Sequence, residues 1–156
     1  MTDQQAVLNA LRASADDLAR ELERLPAEAA MWRPAQGEWS QHECLTHLWI
    51  AERYIFLPRF RAMAEQDNPF LPLVDEVEIM KREWNPERPR ADLLADFTAE
   101  RRQEIALLEK SAWSRPGRHE TRGPVSIGWT AHYTLGHTWE HLSQMMRVRL
   151  SYETKK

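Results

Sequence analysis

The segment DNPFLPLVDEVEIMKREWNPERPR (Asp67–Arg90) decides the fold. It separates two long helical stretches. DNPFLPL breaks the helix before it, VDEVEIMKREW has room for one short helix, and NPERPR breaks the chain again. A connection of about 24 residues is far longer than two antiparallel neighbours need. It suits a crossover that carries the chain back to the end where the preceding helix began. The helices on either side of it then run parallel.

Working outward, four long helices and no convincing strands can be read. In the first, Val7, Leu11, Ala15, Leu18, Leu22 and Leu25 recur at spacings of three and four, a single apolar stripe. Thr2 with Gln5 resembles a capping box at its start, and Pro26 ends it. PAEAAMWRPAQGEW (Pro26–Trp39) carries Pro26, Pro34 and Gly37 and reads as a loop. Ser40 with Glu43 is a second capping box, with Trp39 in the staple position just before it. It opens a helix from about 41 to 66 that contains Pro58. Proline removes a backbone donor and crowds the preceding turn, which predicts a kink between Tyr54 and Pro58. The third helix spans about 90 to 112, with Leu94, Phe97, Ile105, Leu108 and Ala112 on one stripe and Arg101 among them. WSRPGRHETRGPVS (Trp113–Ser126) is a Gly- and Pro-bearing loop, and the last helix spans about 127 to 150. The expected fold is all-α: a four-helix bundle, up-down-down-up, with a long crossover between helices 2 and 3. Residues 1–156 read as a single domain.

Composition narrows the function classes. The 156 residues are 42% hydrophobic and 29% charged, which suits a globular chain able to bury a core. The net charge of -3, with both signs interspersed, argues against nucleic acid as a partner. Cys44 is the sole cysteine, so no internal disulfide forms, and a reducing, cytoplasmic setting is expected. MTDQQAVLNALRAS lacks the pattern of a signal peptide, and no run of eighteen apolar residues offers a membrane span.

The chemistry concentrates in GHTWEHLSQ (Gly136–Gln144). His137 and His141 lie one turn apart on the last helix, about 40° apart around it, so both rings reach a common point. A helix that fixes two imidazoles in this way offers a metal ion two ligands at little entropic cost. Thr130, Thr134, Met145 and Val148 share the stripe, polar in its first half and apolar in its second. With Glu140 the pair spells H-x-x-E-H, the inverted zinc-protease motif. That class needs a further ligand well downstream, and the residues after His141 contain no histidine and one glutamate, Glu153. Glu140 is better read as an orienting or solvent-facing residue.

A third histidine must come from elsewhere. His119 is in a loop, His132 points away from the pair, and His42 in the first turn of helix 2 should be exposed. His47, within CLTHLWIAE, lies roughly 10 Å into helix 2, and His141 roughly 13 Å from the end of helix 4. If those helices are antiparallel, the rings meet at one level. The competing reading of His47 is a core histidine bonded to a backbone carbonyl.

Other residues weigh less. Glu43 could face such a site, although its capping role competes. Arg101 could anchor an anionic substrate or pair with a neighbouring glutamate. Trp32, Trp39, Trp49 and Trp139 could wall a pocket or fill core, and Cys44 reads as a buried structural thiol.

WRPAQGEWSQHECLTHLWIAERY (Trp32–Tyr54), together with the late His-x-x-x-His helix, resembles the DinB-like (DinB/YfiT-like) family of metal-binding four-helix bundles. The resemblance implies an up-down-down-up bundle with three metal-binding histidines, one on helix 2 and two on helix 4: by position His47, His137 and His141. It implies a metal-dependent enzyme, either a thiol S-transferase using a low-molecular-weight thiol or a hydrolase, and a homodimer. Three neutral imidazoles accept zinc, nickel, iron or manganese, with zinc or nickel foremost. No catalytic acid or base is assigned. The alternative is a non-catalytic bundle with a structural metal that works by dimerisation or partner binding. The partner expected of an enzyme here is a small molecule, with no membrane and no nucleic acid involved.

Overall fold

Helix caps set the frame. In the computed structural model, which describes residues 2–155, the Thr2 hydroxyl accepts the Gln5 amide and opens α1 (Asp3–Arg24). Ser40 and Glu43 form a complete capping box at the start of α2 (Gln41–Ala51). A π-helical turn, Glu52–Phe56, joins α2 to α3 (Leu57–Glu65) without a break. The Leu57 amide reaches back five residues to the Glu52 carbonyl. The chain thus admits Pro58 by widening the turn that comes before it. Asp75 caps the short α4 (Glu76–Glu83), and Ser126 caps the last helix.

The two remaining long helices are α5 (Arg90–Lys110) and α6 (Ile127–Thr154). Contacts along them fix their directions. Gln41 with Arg90, Glu52 with Arg101 and Arg61 with Gln103 ascend together, so α2–α3 and α5 run the same way. Asp3 with His132 and Glu21 with Arg149 set α6 parallel to α1. Leu25 with Arg90 and Arg12 with Glu109 set α5 antiparallel to α1. The arrangement is a four-helix bundle, up-down-down-up.

Strands are the first correction to the sequence reading. Phe70–Leu71 (β1), Pro116–His119 (β2) and Gly123–Ser126 (β3) form a small sheet in the order β1-β2-β3, parallel then antiparallel. Strands this short, cut from loops rich in proline and glycine, show no apolar alternation to read. Gly123, at φ 75, makes the hairpin turn. Gly117 lets β2 lie against α3, because a Cβ there would sit 2.9 Å from the Met63 sulfur.

His42 is the second correction. Expected exposed, it is buried, and its Nε2 pairs with the Asn85 carbonyl at 3.1 Å. The connecting segment that carries Asn85 folds over the start of α2. Every residue of α2 is buried, so this helix has no solvent face from which an apolar stripe could stand out. On α5 the stripe shifts: Leu93 is buried and Leu94 only half-buried, while Ala112 lies exposed beyond the helix end.

Two apolar clusters fill the bundle, one around Leu11, Phe60 and Leu108, the other around Leu18, Leu48 and Phe97. A polar layer lies between them. Arg101, 1% exposed, donates to Glu52 at 2.9 and 2.7 Å, to Ser14 Oγ at 3.0 Å, to the Leu11 carbonyl at 3.3 Å and to Thr138 Oγ1 at 2.8 Å. Glu104 Oε2 lies 3.2 Å from Arg101 Nε, off the hydrogen-bonding direction, and both its oxygens are buried without a hydrogen bond among the described residues. Burial, then the neighbouring Glu52, raises the Glu104 carboxyl well above its ordinary range.

Removing the cation leaves buried carboxylates and hydroxyls without a donor. Arg101→Met should cost about 3–5 kcal/mol in urea unfolding. Arg101→Met with Glu52→Gln should be more stable than Arg101→Met alone, because the uncompensated charge is gone. A double variant no better than the single would show that packing, not charge, sets the loss.

Candidate metal centre

The capping box places His47 in the second turn of α2, well inside the bundle. The Glu43 carboxylate is consumed in that box, accepting from the Ser40 amide at 2.8 Å and hydroxyl at 2.9 Å, and it also pairs with Arg33. Glu43 therefore faces the cap, not the histidines. From the antiparallel α6, His137 and His141 approach His47. Ring centroids are 5.1 Å apart for His47–His137 and 4.6 Å for both other pairs. One nitrogen from each ring lies within 4.8 Å of the other two.

The details suit a cation between the rings. His47 Nε2 and His137 Nε2 are 3.1 Å apart. Two nitrogens bound tetrahedrally to one ion at about 2.1 Å would be roughly 3.4 Å apart. Among the described residues no backbone carbonyl takes up His47, so the core-histidine reading lacks its partner there. His141 Nδ1 meets Gln144 Oε1 at 3.0 Å, which turns its Nε2 toward the other two rings. His137 Nδ1 is buried with no partner among the described residues. Burial drives the pKa of His47 down to about 4 and that of His137 to about 3, each helped by the neighbouring rings, and lowers that of His141. All three are neutral at pH 7, the form that binds metal.

Aromatic rings wall the cluster. Trp39 stacks on His141 at 5.9 Å and 11° and tilts against His47 at 5.1 Å. Phe56, at the end of the π-helical turn, meets His137 edge-on at 5.4 Å. Trp49 is buried in the core instead, beneath the Arg88 guanidinium, and Trp139 is exposed. Trp32 pairs with Tyr152.

One neighbour has no signal in the sequence. Glu76, in the first turn of α4, places Oε2 3.7 Å from His47 Nε2. Its side chain is 46% exposed, and burial of the rest raises its pKa. The other residues singled out in the sequence lie elsewhere. His132 pairs with Asp3, Glu140 is exposed, and Cys44 is buried with its thiol pushed up to about 12. Arg101 is locked in the polar layer, although it donates to Thr138, the residue next to His137. His119 is buried on β2, in a cavity of about 140 Å³ that reaches His137 and is also lined by Glu76, Arg59 and Arg122.

YfiT from Bacillus subtilis, described as a probable metal-dependent hydrolase with an unusual four-helix bundle topology, matches this fold with a TM-score of 0.83. The identity is 15%, over 95% of this chain and 87% of that one. A protein assigned to the DinB family from Exiguobacterium sibiricum 255-15 matches with a TM-score of 0.58 at 17% identity, over 98% and 94% of the two chains. At such identities the likeness is one of fold. No curated protein matches the sequence. The sequence profile of the DinB superfamily spans residues 10–145, and on that match the chain belongs to the DinB superfamily.

Proposed function

We propose that the protein is a metal-dependent enzyme in which His47, His137 and His141 hold one divalent ion. The observation that carries this reading is three neutral imidazoles converging, with no fourth residue in the group among the described residues. A structural site would be closed, and an open one leaves room for substrate. Zinc and nickel suit three imidazoles best, with iron or manganese also compatible. Such an ion supplies Lewis acidity, lowering the pKa of a water or thiol beside it. The side chains do the rest. Trp39 and Phe56 hold the rings in place, and the Glu76 carboxylate, 3.7 Å from His47 Nε2, would accept a proton beside them. The reaction is hydrolysis or thiol S-transfer on a small molecule. YfiT's description supports the first, and the family resemblance suggests the second.

A second reading rests on α6. Trp139, Met146 and Leu150 are exposed and recur at helical spacing on one face. That face suits a second copy of the chain. A homodimer by sedimentation velocity, abolished by Leu150→Glu with Met146→Glu, would support it. No described helix is long and apolar enough to cross a membrane, and a cytoplasmic enzyme is the setting proposed.

Metal content is the direct test. Protein made without a polyhistidine tag should carry about one divalent ion per chain by mass spectrometry, and His47→Ala and His137→Ala should carry almost none. No metal in the wild type, even after zinc, nickel, iron and manganese are added back, would overturn the enzyme reading.

Acid should weaken the metal-free protein. In the unfolded chain these histidines titrate near 6.5, whereas the folded chain resists their protonation down to about 4 for His47 and about 3 for His137. Their stabilising contribution is thus complete above pH 6.5 and is lost as pH falls toward 4. The slope approaches about 1.4 kcal/mol per pH unit for each histidine. Urea midpoints of chelated protein between pH 7 and 5 should fall, and His137→Asn should make the fall less steep. An equal slope in that variant would assign the acid sensitivity to other groups.

A further inference from the structure

The cavity beside His137 carries cationic groups on its walls. Arg59, from α3, and Arg122, from the β2–β3 turn, both line it, as does His119. Each guanidinium is anchored by neutral groups. Arg59 donates to the Pro72 carbonyl at 3.2 Å. Arg122 donates to the Tyr133 hydroxyl at 3.1 Å and lies 4.7 and 5.6 Å from the centroids of the Tyr133 and Trp129 rings, which stack at 5.2 Å. Among the described residues neither has a carboxylate within ion-pair distance. Most other arginines of this chain differ: Arg12, Arg20, Arg33, Arg53, Arg82, Arg88, Arg101 and Arg149 all pair with one.

The two charges act on one another. Arg59 is partly desolvated; Glu76 favours its charge, and the charge of Arg122 disfavours it. The other acid nearby, Glu120, is engaged by the Leu73 amide at 2.7 Å. His119 Nδ1 accepts the Thr121 amide at 3.3 Å, which leaves the ring proton on Nε2 as a neutral donor. Two held guanidiniums with no carboxylate in ion-pair range, only Glu76 acting on Arg59 from farther off, and an imidazole N–H are the complement of an oxyanion.

We propose that Arg59 and Arg122, assisted by His119, form a subsite for the carboxylate or phosphate group of a small organic anion, whose other end lies toward His137. This deepens the proposed function, since it names the substrate class of the same site. The stacked Trp129 and Tyr133 rings, on one wall, suit an apolar or planar body behind the charged group. The anionic group would orient the substrate, and the chemistry would take place at the histidines.

The test is anion binding to the chelated protein, so that direct coordination to a metal plays no part. Inorganic phosphate and succinate are titrated separately, following arginine side-chain Nε–H resonances and tryptophan fluorescence. At least one should bind saturably, and Arg59→Gln and Arg122→Gln should each weaken it about tenfold or more. Arg59→Lys, which keeps the charge but loses the planar fork, should recover part of the affinity and guards against a folding defect in Arg59→Gln. Arg118→Gln, on the same sheet but outside the cavity, should change nothing. Which anion binds more tightly separates a phosphate ester from a carboxylate. Binding of neither anion, or binding indifferent to Arg59→Gln and Arg122→Gln, or equally weakened by Arg118→Gln, would overturn the subsite. Metal content is measured on the same preparations before chelation. Metal retained without anion binding removes the subsite alone, and anion binding without metal removes the metal-dependent reading alone.

Discussion

The Arg101 guanidinium is the constraint on which the rest of the structure depends. One buried cation donates hydrogen bonds to α1, at Leu11 and Ser14, to the π-helical turn, at Glu52, and to α6, at Thr138. Apolar clusters on either side of this layer could slide by a turn with modest loss, because a methyl group has no direction. A planar fork with directed donors cannot, so the layer fixes the register of the helices. Buried ion pairs are weak evidence for stability in themselves, but their role in register is well attested. Here register matters one residue away: Thr138, held by Arg101, sits beside His137. Any shift of α6 against α2 would separate the imidazoles that now lie 3.1 Å apart.

The same layer explains the π-helical turn. Pro58 cannot donate a backbone hydrogen bond, so the preceding turn must change. The change is a wide turn beginning at Glu52, the residue that answers Arg101, and ending at Phe56, the residue that leans on His137. A proline that would otherwise only kink the helix thus coincides with the place where the polar layer and the candidate metal centre meet.

Much of this was legible in the sequence, and the division follows from the range of the interactions. Helix stripes, capping boxes and the His137–His141 pair are local, set by residues three or four apart, and each can be read from spacing. His47 was reachable by one step more, the height argument, because a bundle has few ways to align two antiparallel helices. What could not be read depends on the return of connecting segments. His42 is buried because the Asn85 carbonyl folds over it, and Glu76 reaches His47 from the connection whose length alone was informative. The strands formed because Phe70–Leu71 meets the later Pro116–His119 hairpin strand, a pairing that no local pattern records. Arg59 and Arg122 come together by the same return.

Three arginines of this chain show that environment, not residue type, decides a role. Arg101 is desolvated completely and answered by a carboxylate, so its charge is spent on holding helices together. Arg33 is half-exposed and answers the capping carboxylate of Glu43, a local contribution at one helix end. Arg59 is partly desolvated, held by a carbonyl, and left without an acid in ion-pair range. Folding alone gains little from that last arrangement, since desolvation costs free energy and Glu76, outside ion-pair distance, offsets only part of it. A position that costs stability and returns little within the folded chain is where binding energy for something outside the chain is most readily stored. It lines the cavity that reaches His137, one of the three neutral imidazoles that converge. Cationic donors and a candidate metal ligand on the walls of one cavity favour an occupant that can meet both.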